Sequence, residues 1–142
     1  MAHMLKQRYL ILGKVGQGGM GTVYKAEDTS LGNRLVAIKE MSQRGLDPQE
    51  IILASQAFKQ EAHMLAGLHH PHLPSIHEHF EEAGRWYLVM SFIEGETLES
   101  YVQTRGGKLP VPEVLDLGMQ LCTVLDYLHN RQPSRGISRI TK

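Results

Sequence analysis

The chain has 142 residues, and 15 Lys plus Arg balance 15 Asp plus Glu, so no global charge points to nucleic acid or a membrane surface as partner. An apolar content of 42% and a charged content of 21% fit a soluble globular domain, and the length fits about one such domain. Cys122 is the single cysteine, which excludes an internal disulfide and fits a reducing cytoplasm. No apolar run approaches the ~20 residues of a membrane span, and MAHMLKQRYL lacks the apolar core of a secretory signal.

In chain order, residues 9–15 (YLILGKV) read as a strand, and residues 22–26 (TVYKA) alternate as a second. DTSLGN at 28–33 is turn chemistry, and RLVAIKEM at 34–41 is a third strand. Asp47-Pro48 starts a helix expected over 49–68, whose apolar residues recur at helical spacing until His70-Pro71 ends it. Residues 75–82 and 85–93 form a hairpin around Ala83-Gly84, and Gly95 breaks the chain. A short helix over 98–104 and a longer one over 112–129 follow. Strands, helix, strands and then helices predict an α+β arrangement with an antiparallel sheet.

Between the first two strands lies GQGGMGTVYKA, with Gly16, Gly18 and Gly21 in a G-x-G-x-x-G pattern. Such glycines let a backbone approach phosphates. A dinucleotide-binding Rossmann loop needs a helix directly after the glycines, whereas the residues after Gly21 are strand-like. The other reading is a β-hairpin tip folded over a nucleotide, and the bland one is a turn without a ligand. Lys39 closes the apolar strand VAIK beneath that tip, where an ammonium can meet phosphates rather than simply snorkel. Glu61, beside apolar Ala62 and Leu65, is placed to reach inward and orient Lys39.

Together GQGGMGTVYKA, VAIK, the Glu61 helix, LHHPHL and YLVMSFIEGETL resemble the N-terminal lobe of a protein kinase, in the form found in bacterial eukaryotic-like serine/threonine kinases. The resemblance spans residues 9–129 and implies a five-stranded antiparallel sheet plus one long helix, followed by the first helices of the large lobe. It divides the chain into an N-terminal extension (1–8), the small lobe (9–92), the hinge and first large-lobe helices (93–131) and a basic tail (132–142). It implies ATP as the ligand, with Gly16, Gly18 and Gly21 over the phosphates and Lys39 paired with them and with Glu61. It also implies Val23, Ala37 and Leu98 packed on adenine, Met90 at the back of the pocket, and hinge hydrogen bonds from the backbone of Ser91 and Ile93. Leu65 and Ile76 match apolar residues that link the helix to the sheet.

Kinase chemistry further needs an aspartate for the substrate hydroxyl, and an asparagine and a second aspartate for magnesium. Tyr127-Leu128-His129 is present, but no aspartate or glutamate follows Asp126, and Arg135-Gly136 is the nearest echo of the expected Arg-Asp. Magnesium is therefore expected only as carried by the nucleotide, and this chain alone is expected to transfer no phosphate. The tail is expected to be the end of an interrupted or out-of-frame reading. The last helix is apolar almost all round, from Val114 to Leu128, and such a helix expects burial all round. A partner surface or self-association is expected there, and a non-catalytic module docking on a complete kinase is the alternative function. His69, His70, His72, His77 and His79 invite a metal reading, but with no HExxH and no nearby cysteine they are read as loop and strand-surface residues, His77 and His79 sharing a strand face.

Overall fold

The computed structural model describes residues 3–19 and 21–131, so the basic tail lies outside the described residues. The chain divides into two units, one running to Glu94 without His70–Leu73, the other comprising His70–Leu73 and the chain from Gly95.

The first unit is a six-stranded sheet with one long helix. Its strands are β1 (Met4–Leu5), β2 (Tyr9–Gly18), β3 (Gly21–Asp28), β4 (Arg34–Met41), β5 (Ile76–Glu82) and β6 (Arg85–Ser91). They lie in the order β1-β2-β3-β4-β6-β5, and every neighbouring pair is antiparallel. The sheet therefore has one strand more than the five expected. Residues 4 and 5 pair with Leu10 and Tyr9, and Leu5 is buried in the core rather than trailing as an extension.

Alternation divides the sheet into two faces. One carries Leu5, Tyr9, Ala26, Val36, Ile38, Phe80, Tyr87 and Val89 as a continuous buried cluster. The other packs Met41 and Leu88 against Phe58 and Ala62 of helix α1 (Pro48–Ala66). Phe58, Ala62 and Leu65 fall at i, i+4 and i+7, so one stripe of α1 meets the sheet. Asp47 starts the helix with a full capping box: its carboxylate accepts from the Gln49 and Glu50 amides, and Glu50 reaches back to the Asp47 amide at 2.9 Å.

Asp28, at the end of β3, is fully buried. Arg8 grips it with two hydrogen bonds of 2.8 Å, and Ser30 adds its amide and hydroxyl. That guanidinium, more than any other group, holds the Asp28 carboxyl well below the usual carboxylate range. Glu78 receives Arg8, Lys6 and the Tyr9 hydroxyl, so the N-terminal segment is tied to β5 as well as to β2.

In the second unit, α2 (Leu98–Thr104) is capped by Thr97, and α3 (Val111–Asn130) begins after Pro110. The Tyr101 hydroxyl donates to Glu113 at the start of α3, and the His70 ring lies 5.1 Å from that of Tyr127. Among the described residues no helix is long and apolar enough to cross a membrane.

Candidate nucleotide site

Two cross-strand rows bring together Gly16, Val23, Lys39, Ala37 and Met90 of the predicted site. Gly16, Val23, Lys39 and Leu88 stand opposite one another across β2, β3, β4 and β6. The adjacent row on the same face runs Gly13, Lys25, Ala37, Met90 and Ile76. Val23, Ala37, Lys39 and Met90 thus share the face that also carries α1, because each lies an even number of residues from its neighbour on the same strand. Ala37 is almost fully buried, and Lys39 is half-buried.

The β2–β3 hairpin closes with Gly18 opposite Gly21. Its glycines differ in what they do for the fold. Gly21 has φ +130°, and a Cβ there would run into the Glu40 carbonyl oxygen on β4. Packing of the chain itself requires this glycine. A Cβ at Gly16, Gly18 or Gly19 would meet nothing within 4 Å, and none of the three has a positive φ. The fold places no demand on them, and they leave one side of the hairpin open.

The expected Lys39–Glu61 ion pair is not formed. Glu61 is exposed, and no hydrogen bond or ion pair joins it to Lys39. The cause is the rotation of α1: Phe58 and Ala62 occupy the inward stripe and leave Glu61 on its flank. Leu65, Ile76 and Met90 do pack on the Phe58–Ala62–Leu88 cluster and link helix to sheet.

At the end of β6, the Ser91 amide donates to the Ser75 carbonyl at 2.9 Å, and the Ser91 hydroxyl accepts from the Ser75 amide. Ile93 is exposed beyond it, and Leu98 stands at the first position of α2 in the second unit. Lys25 was not singled out from the sequence. It lies two residues from Val23 on the same face, with its ammonium 4.8 Å from the Phe92 ring centre. Alternation along TVYKA carried that signal.

His77 and His79 do not share a simple face. A register shift between Ile76 and Glu78 falls at His77 and breaks the alternation. Burial, then the charge of Arg34, pushes the His77 imidazole below its ordinary value, while the His79 ring lies 6.3 Å from Trp86. Among the described residues no three His, Cys, Asp or Glu side chains come together as a metal-holding group.

The first unit is thus a six-stranded antiparallel sheet with a glycine hairpin at one end, a lysine on the row beneath it and one long helix on that face. The protein kinase domain family model matches residues 9–134, and the chain belongs to that family. It is 35% identical over 123 residues to the probable serine/threonine-protein kinase PknB of Lactococcus lactis, with 87% of this chain and 19% of that protein covered. It is 38% identical over 125 residues to the serine/threonine-protein kinase PrkC of Bacillus subtilis, covering 88% of this chain and 18% of that one. Among solved structures, the PknI kinase domain of Mycobacterium tuberculosis superposes with a TM-score of 0.74 at 26% identity, over 93% of this chain and 51% of that one. The chain thus matches the N-terminal part of the kinase domain and spans about a fifth of the length of these two curated relatives.

Proposed function

We propose that this chain holds ATP as the N-terminal part of a serine/threonine kinase domain and transfers no phosphate by itself. Gly16 and Gly18 carry the proposal. Nothing in the chain's own packing asks for glycine there, yet a side chain at either would narrow the approach to the hairpin. Glycines that the fold does not need are expected where a ligand's phosphates come close.

In this reading the backbone of Gly16, Gly18 and Gly21 covers the phosphates, and the Lys39 ammonium pairs with them. Val23, Ala37 and Met90 supply apolar surface for adenine, and the Ser91 and Ile93 backbones its hydrogen bonds. Glu61 would join Lys39 only after α1 turned its flank inward. ATP supplies the transferable phosphoryl group and brings its own magnesium. Within residues 1–142 no carboxylate follows Asp126 to receive a substrate proton or hold a second ion, so these residues alone are not expected to transfer phosphate to serine or threonine. The exposed free thiol of Cys122 suits a reducing cytoplasm.

The test is a transfer assay. The purified chain, incubated with γ-labelled ATP and a generic protein substrate, is expected to label neither itself nor the substrate. Labelling that disappears in Lys39→Met would overturn the claim of inactivity.

A second reading, an interaction module, rests on α3. None of its residues is buried, and Val111, Val114, Leu115, Met119, Leu121 and Leu125 are each more than half exposed. Apolar surface of that extent supports a protein partner or self-association. A concentration-independent monomer in sedimentation, with no partner bound, would remove this reading.

A further inference from the structure

On the sheet face opposite Lys39, Gln17, Thr22 and Glu40 stand in one cross-strand row. With Gln43, Arg44 and Arg85 they line a cavity of about 690 Å³ beside the glycine tip. That size suits a small molecule, but the walls are polar rather than apolar. Three separate segments meet there: the hairpin tip, the link from β4 to α1, and the start of β6.

The charges decide what fits. One Glu40 oxygen takes the Arg85 guanidinium, and the other accepts the Tyr24 hydroxyl at 3.0 Å. The carboxylate is therefore satisfied, and Arg85 is anchored through a single nitrogen with further donors to spare. Arg44 has no hydrogen-bond or ion-pair partner among the described residues. The cavity accordingly holds one uncompensated positive charge on a fork-shaped donor and a second, pre-positioned fork. The two arginines come from different segments, and the three terminal oxygens of a phosphate monoester can accept from both. A carboxylate offers one planar pair of oxygens.

We propose that this cavity binds a small polar molecule through a phosphate monoester, separately from the Lys39 face. Such a ligand would tie the glycine tip to the segment that leads into α1, and so bias how the hairpin sits. The proposal does not depend on ATP binding at the Lys39 row.

Amide NMR of the full chain, titrated with glycerol 3-phosphate, inorganic phosphate, acetate and sodium chloride in turn, tests it. Saturable shifts are expected at residues 17–19, 21–22, 42–44 and 85, with glycerol 3-phosphate tighter than free phosphate. Arg44→Ala is expected to weaken binding about tenfold, the loss of one charge-assisted contact. Glu40→Gln should tighten it severalfold by removing the competing carboxylate, and Lys39→Met should leave it unchanged. The amide spectrum of each variant without ligand establishes that it is folded. Shifts that never saturate, that sodium chloride reproduces, or that survive Arg44→Ala would overturn the proposal. Acetate binding as tightly as the monoester, or free phosphate doing so, would also overturn it. Loss of the shifts in Lys39→Met would place the anion on the other face and equally contradict it.

Discussion

Gly21 on β3 lies against the carbonyl of Glu40 on β4 so closely that a Cβ has no room. At φ +130° the added carbon would strike that oxygen and approach the Ser42 amide nitrogen to 3.2 Å. The obstacle is backbone held in a paired ladder, whose end pair sets Gly21 opposite Met41. Gly21→Ala is therefore expected to cost roughly 2–4 kcal/mol, combining conformational strain with overpacking. Gly18→Ala, three residues away with open space around it, should change stability by less than about 1 kcal/mol. Thermal unfolding of the two variants side by side checks the contrast; equal losses would contradict this division of roles.

Asp28 and Arg8 govern the acid stability of the first unit. The Asp28 carboxyl titrates well below its ordinary 3.8, chiefly through the Arg8 guanidinium. A depressed folded value means that the stabilisation is complete above the unfolded value and is lost as pH falls towards the folded one. Stability should therefore decline below about pH 4, and Asp28→Asn should flatten that decline. At pH 7, Asp28→Ala is expected to cost roughly 2–3 kcal/mol. That is less than for a fully buried pair, because Arg8 keeps part of its surface in water. Urea unfolding from pH 2 to 7 measures both effects.

Ala83 sits in the β5–β6 turn at φ +50°, next to Gly84 at +73°. Two left-handed residues are what a two-residue hairpin with the right-handed twist of its strands demands, and alanine is strained in the first position. Ala83→Gly should stabilise the chain by roughly 0.5–1 kcal/mol. A lowered melting temperature would count against that turn geometry.

The β5–β6 hairpin and the strand Arg34–Met41 were readable because alternation and turn chemistry are local signals. Local signals also place Gly16 and Lys39 on one row, since strand pairing joins both through Val23. What escaped depends on distant partners. Nothing in MLKQRYL marks Leu5 as core; its burial follows from two backbone pairings with β2. Asp28 looks like a turn residue until Arg8, twenty positions earlier, closes on it. The orientation of Glu61 is set by how Phe58 and Ala62 seat α1, and helical spacing alone allowed either flank. The bulge at His77 is a register effect that one strand cannot reveal by itself.

Nucleotide binding by the Lys39 row is the central claim, and calorimetric titration of the purified chain with ATP tests it most directly. The account predicts saturable binding, weak but measurable, that Lys39→Met or Gly16→Val reduces at least tenfold while Glu61→Gln leaves it within about twofold, since Glu61 does not reach Lys39. Binding that is absent from a folded chain, or that is indifferent to Lys39 and Gly16, would contradict it.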